Sequence, residues 1–411
     1  MENSSASYLV LFTEQYPFGE GEGFLDEEIK FLSTKFLTIY ICPRKTGREQ
    51  RLLPNNVVIN ASLLRYGICD VLRSFLKCNF DYRELNHVLK RNYKNNSALK
   101  TLKNYFGYEI IGNIYKDRIN SFQIDNSIYY SYWFKHTAYS LALSKKPNNG
   151  VKICRCHGSD IYEINYGHPF REKIGKELDQ LFTISNQGKE YILRNYHIEK
   201  DKLETSNLGT KRLFNFSKRE PRDYILSVSC SNCIELKRID LICRVVEKLA
   251  FNHPNLCFKH VHFGAGPLLN HLKSIYNESI DNVEIDFRGS VRNEDIQLFY
   301  SKLVPDYFIN LSESEGLPVS MMEAISYGIP LVGTDVGGVK EIVNKETGIL
   351  IPKDFQIQDL IESIYQNIID KNHFNRKTIM DFWTQNFNSA KNYASFYSKL
   401  LELSWTQNIK D

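Results

Sequence analysis

With 411 residues, 42% of them hydrophobic and 24% charged, the chain has room for two domains of ordinary size and reads as a soluble globular protein, not a disordered one. A formal net charge of +4 is small for this length and gives no sign of nucleic-acid binding. No apolar run approaches the ~20 residues of a membrane-spanning helix, and the start Met1-Glu2-Asn3-Ser4-Ser5 lacks the basic residues of a secretory signal. A cytoplasmic chain is expected, with contact at the inner face of the cell membrane left open. The nine cysteines are odd in number and scattered, and Cys230 and Cys233 form a CxxC without a second pair, so inert reduced thiols are expected and a metal site is not.

The first element is the apolar run Ser7–Phe12, a strand by length. A glycine-rich acidic loop, Pro17 to Gly23, leads into a helix over Phe24–Thr34, and Phe36–Ile41 is the next strand. This β-loop-α-β start is how doubly wound sheets begin. Residues 60–120 read as helical and basic, with eleven Lys/Arg against five Asp/Glu between Arg65 and Arg118. The plain reading is a solvated helical face; the sharper one is a surface attracted to anionic lipid or to a lipid-phosphate acceptor. Further strands are expected at Ile128–Tyr132, Val151–Cys156 and Leu181–Ser185, with Asn186 as a helix cap. The charged segment Phe214–Asp223 is the best linker. Beyond it, strands at Tyr224–Val228, Phe258–Phe263, Val283–Phe287 and Tyr307–Leu311, separated by helical stretches, make a second α/β unit. Two such domains, 1–215 and 223–385, leave an expected interdomain cleft. A final apolar helix, 386–411, should pack back on the first domain; Trp383, Phe387, Tyr393, Phe396, Tyr397, Leu400, Leu401 and Trp405 carry that pattern.

Chemistry concentrates at the strand ends. Glu315 follows the strand Tyr307–Leu311, Gly316 lets backbone approach a ligand, and Pro318 suits the first turn of a helix that carries Glu323. The free N–H groups of that turn favour a diphosphate, and Glu323 could accept from a ribose diol. Alternatively Glu315 caps the helix and Glu323 is solvated. Thr334 to Val343 reads as strand end, glycine turn and new helix, either a wall of the same pocket or a turn that needs glycine. Lys237 and Arg238 would face a diphosphate and stabilise a leaving group, or they are surface charges. Gly264, in His262-Phe263-Gly264-Ala265-Gly266, ends a strand in a GxG turn too short to indicate NAD. His157, in Arg155-Cys156-His157-Gly158-Ser159-Asp160, could bond a sugar hydroxyl or be structural.

The run Glu315-Gly316-Leu317-Pro318 through Glu323-Ala324, with Gly328-Ile329-Pro330, Thr334-Asp335-Val336-Gly337-Gly338, Glu341-Ile342-Val343 and Gly348-Ile349-Leu350, resembles the donor-site signature of glycosyltransferase family 4. Tyr16 to Phe24, Tyr130-Ser131-Tyr132-Trp133 and Arg155 to Asp160 are similar to members that build bacterial exopolysaccharide, capsule or O-antigen. The resemblance implies an α/β GT-B fold of two facing Rossmann-like domains and a retaining, metal-independent transfer from a nucleotide sugar to a glycan or polyprenyl-linked glycan, without a resident cofactor. It implies Glu323 on the ribose, Glu315 beside the donor sugar and its phosphate, and Lys237 on the diphosphate. His157 would face the transferred sugar or acceptor, and the Gly19–Gly23 loop, with Gly21, would lie near the donor. Gly316, Leu317, Pro318, Arg238, Asn232 and Gly264 complete the expected donor contacts. One departure stands out: where the family usually has an arginine, this chain reads Ser229-Cys230-Ser231-Asn232-Cys233, so either Arg238 compensates or hydroxyl and amide groups do part of the work. A non-catalytic sugar-nucleotide-binding partner subunit and a nucleotide-sugar epimerase or phosphorylase on the same fold stay open, although no pyridoxal-lysine signature supports a phosphorylase.

Overall fold

The computed structural model describes residues 7–19, 21–78, 81–92, 98–162, 168–215, 221–276 and 282–408. The chain divides into two compact units, Met1–Asn207 with Asn392–Asp411, and Leu208–Lys391. The division thus falls ahead of the expected linker at Phe214–Asp223, of which residues 216–220 lie outside the described residues.

The first unit is built on seven parallel strands: β1 (Tyr8–Thr13), β2 (Thr38–Pro43), β3 (Val57–Ile59), β4 (Ser127–Ser131), β5 (Val151–Cys156), β6 (Gln180–Thr183) and β7 (Leu203–Thr205), in the order 3-2-1-4-5-6-7. A parallel sheet is covered on both faces, which is why its strands read as continuous apolar runs. Successive residues serve opposite faces. Leu9, Leu11, Ile39, Ile41 and Tyr130 join one buried cluster, whereas Val10, Phe12, Cys42, Tyr129 and Cys154 join the other. The helix Ala98–Ser121 buries Tyr105, Tyr108, Tyr115 and Ile119 in the second cluster. The last helix, Ser389–Asn408, adds Phe396 and Leu400 to the first. Under it, the fully buried Arg155 guanidinium lies 4.2 Å from the Phe396 ring centre and 3.2 Å from the Glu28 carboxylate, which also accepts from the Tyr130 hydroxyl at 3.0 Å. Burial raises the Glu28 carboxyl, and Arg155 offsets only part of that.

The second unit holds six parallel strands: β8 (Tyr224–Cys230), β9 (Cys257–Phe263), β10 (Val283–Gly289), β11 (Tyr307–Asn310), β12 (Leu331–Thr334) and β13 (Gly348–Ile351), in the order 10-9-8-11-12-13. Both sheets are therefore wound outward in two directions from a central pair, β1 beside β4 and β8 beside β11. The carboxyl ends of such a pair diverge, and α/β sheets bind ligands in that crevice.

Several details differ from the sequence pattern. β3 and β7, three residues each, are too short to leave a periodic trace. Ser185, not Asn186, caps the helix Asn186–Asn195, because its hydroxyl accepts from the Gly188 amide at 3.0 Å. Pro318 is itself the cap of the helix Val319–Ser326, extended at ψ 109°, so its fixed φ starts the helix from one residue outside. The turn after Thr334 continues as a single 3₁₀ turn, Val339–Glu341, not as a long helix. Trp383 and Phe387 belong to the second unit, where the Trp383 indole donates to Thr210 at 2.9 Å, and Trp405 is 45% exposed.

Candidate functional site

In the second unit, the loops that follow β8 and β11 meet at the switch point. Lys237, in the 3₁₀ turn Glu235–Lys237, donates from Nζ to Glu315 Oε1 at 2.6 Å. Asn310 Nδ2 at 3.0 Å and Ser312 Oγ at 2.7 Å donate to the same oxygen. Among the described residues Oε2 of Glu315 accepts no hydrogen bond. The loop itself is pinned: Asn310 Oδ1 accepts from the Ser312 amide at 2.9 Å, the Thr334 hydroxyl donates to the Ser312 carbonyl at 2.6 Å, and the Glu313 amide donates to the Leu236 carbonyl at 2.9 Å. The glycine turn after β12 closes over it. Gly338 donates to the Gly316 carbonyl at 2.8 Å, and a Cβ on Gly337, at φ +52°, would lie 1.8 Å from the Glu315 carbonyl oxygen. Glycine at 337 is thus a packing requirement of the Glu315 loop.

Glu323, 9% exposed, sits one to two turns into Val319–Ser326. Its Oε1 accepts from Asn293 Nδ2 at 2.7 Å, Asn293 accepts from Gln297 at 2.9 Å, and Gln297 accepts from the Tyr327 hydroxyl at 2.9 Å. Burial pushes the Glu323 carboxyl up to about 7, and the Asn293 bond opposes that only in part. Asn293 and Gln297 stand four apart on the helix Asn293–Leu303, so helical spacing of two amides was the signal that could have marked them.

The remaining expected donor contacts divide. Arg238 takes the left-handed conformation, φ 51°, and is engaged by Glu313 at 3.0 Å and by the Lys353 carbonyl at 3.2 Å. Leu317 is buried, so its side chain is a core group, and Asn232 is exposed beyond the end of β8. Gly264, at φ +142°, lets β9 turn against the Ser231 carbonyl, which a Cβ would approach to 1.8 Å. The stretch without arginine is tied instead by a buried chain. Ser227 bonds His260 at 2.8 Å, His260 bonds Ser229 at 2.9 Å, Ser229 bonds His262 at 2.8 Å, and His262 meets Cys233 at 3.3 Å. Burial lowers His260 to about 3 and His262 to about 4, so both rings are neutral. All nine cysteines are free thiols, and burial raises Cys230 to about 12.

In the first unit the corresponding loops follow β1 and β4. The Glu22 carboxylate accepts from the amides of Glu14, Gln15 and Tyr16 at 3.1, 2.7 and 2.6 Å, and from the indole N–H of Trp133. Three successive backbone donors form an anion-binding nest, here filled by a residue of the glycine-rich loop. Gly21 is exposed and a Cβ on it would meet nothing within 4 Å. His157, after β5, is packed beside Trp133, Tyr132 and Phe24 with ring centres 4.5, 4.8 and 5.8 Å away. Its amide donates to Asp160 at 2.7 Å. Burial, then Arg155 and Lys135, holds the imidazole well below its ordinary pKa, and among the described residues its buried Nε2 has no hydrogen-bond partner. A neutral ring with one orphaned nitrogen is suited to bonding a hydroxyl.

Residues 210–379 match the family model described as Glycosyl transferases group 1. That match falls within the second unit, Leu208–Lys391. Over 173 residues the chain is 28% identical to the O-antigen biosynthesis glycosyltransferase WbnH of Escherichia coli, covering 42% of this chain and 46% of that one. The matched stretch therefore spans less than half the length of that curated relative. Two solved structures share the architecture across nearly the whole chain. One is the lipopolysaccharide outer core galactosyltransferase WaaB in its apo form, with TM-score 0.64, 14% identity and coverage of 95% of this chain and 99% of that one. The other is TarM, with TM-score 0.65, 13% identity and coverage of 97% and 99%. At these identities the likeness concerns fold alone, and the fold is GT-B, with two parallel-sheet Rossmann-like domains.

Proposed function

We propose that the protein is a retaining glycosyltransferase that moves a sugar from a nucleotide-sugar donor to a glycan or polyprenyl-linked glycan acceptor in cell-surface polysaccharide synthesis. The observation that carries this reading is the Lys237–Glu315 pair at the switch point of a group 1 glycosyltransferase domain, with the buried Glu323 eight residues along the same loop and helix. The likeness to an O-antigen biosynthesis glycosyltransferase supports the pathway. In this reading Glu323 accepts from the ribose hydroxyls, and Lys237 shifts from Glu315 to the diphosphate, where it stabilises the charge that develops as the glycosidic bond breaks. Glu315, anchored by Asn310 and Ser312, stays beside the donor sugar. His157 bonds a hydroxyl of the transferred sugar or acceptor. No nucleophile is assigned on the far face of the sugar, so attack from the side of the leaving phosphate gives retention. Lys237 and helix N-termini take the load a metal ion would carry, and no resident cofactor is involved.

The test is a thermal-shift panel of UDP-, GDP-, ADP- and dTDP-sugars, followed by hydrolysis or transfer assays with the donor that binds, with and without chelator. Binding of one donor class with turnover that survives the chelator is the expected result. No stabilisation by any nucleotide sugar would mean that the second unit holds no donor site. A second reading, a sugar-nucleotide binder without turnover, draws support from one observation: Arg238, the cation next to Lys237 that would stand in for the missing arginine, is engaged with Glu313 and the Lys353 carbonyl. Donor binding without turnover on any lipid-linked or free glycan would favour it.

A further inference from the structure

The helix Ile68–Leu76 presents Ile68, Leu72 and Leu76 to solvent at 80%, 60% and 85% exposure. Spacings of four keep the three on one face. The helix is nevertheless seated on the first unit. Ser74 is buried and donates to the Ile110 carbonyl at 2.6 Å, and Val71 packs against the core cluster. One side therefore holds the helix in place while an aliphatic side faces water, which is unusual for a soluble surface and marks an interaction site. Arg73, next to Leu72 in the helix, and Arg65, three residues ahead of it, are both exposed, and Lys77, also exposed, meets Asp117 at 2.7 Å. The surrounding sequence from Arg65 to Arg118 carries eleven Lys/Arg against five Asp/Glu. Among the described residues no helix is long and apolar enough to cross a membrane.

We propose that this face docks the protein onto an anionic lipid bilayer, with Ile68, Leu72 and Leu76 at the acyl boundary and Arg65 and Arg73 on lipid phosphates. A nine-residue amphipathic helix with cations beside its apolar arc lies on such a surface and does not span it. Charge decides between this occupant and a second copy of the chain. Pairing two copies through the same face would set the cations of one against those of the other, whereas anionic headgroups neutralise them. The inference does not depend on the transfer reading, since vesicle binding needs no nucleotide sugar; it would explain how a lipid-linked acceptor is met.

The experiment is cosedimentation of the full chain with phosphatidylglycerol-containing vesicles and with pure phosphatidylcholine vesicles, at low and high salt. Binding to the anionic vesicles is expected, weakened by salt. The double variant Ile68→Asn/Leu72→Asn should lower it about tenfold or more through lost apolar burial, and Arg73→Gln about fivefold. Both sites are exposed, so the unfolding temperature should hold, and measuring it separates lost docking from lost fold. Equal binding to both vesicle types, no binding, or full binding by the double variant overturns the proposal. So does a dimer that dissociates in the double variant while vesicles are ignored, because the face would then serve self-association.

Discussion

The two units close their switch points with different chemistry. In the second, two side chains from the loops after β8 and β11 make an ion pair at 2.6 Å, with 19% of Lys237 and 9% of Glu315 still exposed. In the first, the glycine-rich loop after β1 puts Glu22 into a nest of backbone amides and under the Trp133 indole. A lysine on a flexible stem can leave one anion for another, because its compact charge holds no fixed geometry. A carboxylate held by its own backbone cannot leave without unfolding the loop. The difference teaches that one edge is exchangeable, as binding an anionic ligand requires, and the other is preset, as positioning requires.

The preset edge breaks hardest from beneath. Arg155, two residues before His157, has Glu28 as its carboxylate partner at 3.2 Å in a fully buried setting. Glu28→Ala should leave that guanidinium buried and uncompensated and cost about 3–5 kcal/mol. Urea unfolding followed with a probe in the first unit would show it as a lowered midpoint. A loss below about 1 kcal/mol would mean that the π faces of Phe396 and Tyr130 suffice for Arg155. At the exchangeable edge, Lys237→Ala should leave Glu315 held by Asn310 and Ser312, keep the unfolding midpoint, and lower kcat about 10²–10³-fold. A large fall in stability with little change in kcat would reverse the assignment and make the pair structural.

Glu323 gives the next effect and a pH signature. Its carboxyl is raised to about 7 from the ordinary range near 4.5, so between those values the folded state keeps a proton that the unfolded chain has lost. Folding is therefore penalised as pH rises toward 7, and the penalty is complete above it. Glu323→Gln should match wild type in stability at pH 4 and exceed it at pH 8, by on the order of 1–3 kcal/mol. Donor binding should run the other way. A ribose diol donates to the ionised form, so wild-type donor affinity rises as pH passes through 7, and the Gln variant shows a flat profile. Thermal melts and donor titrations across this range check both signs. A flat wild-type profile would remove Glu323 from the donor contacts.

How much of this was legible in the sequence follows from distance along the chain. The Glu315 loop and the Glu323 helix lie within a dozen residues, and their Gly, Pro and strand context is local, so the pattern announces itself. Asn310 and Ser312 sit in the same stretch but carry no distinctive spacing, and Asn293 reaches Glu323 from thirty residues away. Trp133 meets Glu22 across 111 residues, and Arg155 meets Glu28 only after β5 is laid beside β4 and the helix Leu25–Ser33 is packed on them. Both sheets were readable because buried parallel strands are apolar throughout, while β3 and β7 sit at sheet edges with three residues each and escape any period. The Arg238 geometry was not readable at all, because a left-handed arginine at a helix cap is set by packing of the loop and not by local preference.

The smallest expected effect tests the two glycine turns against each other. Gly337 is required by the protein itself, since a Cβ would strike the Glu315 carbonyl. Gly21 has no such reason: its Cβ would point into open space and its φ is not left-handed. Gly21→Ala should therefore change stability by no more than about 0.5 kcal/mol. If the loop lies against the donor, the added methyl occupies space that only a ligand needs, and the donor KM should rise severalfold with kcat nearly unchanged, as expected for lost uniform binding. An unchanged KM would leave the loop as a support for Glu22 alone. The preset edge would then position neighbouring side chains through its nest, without touching the donor.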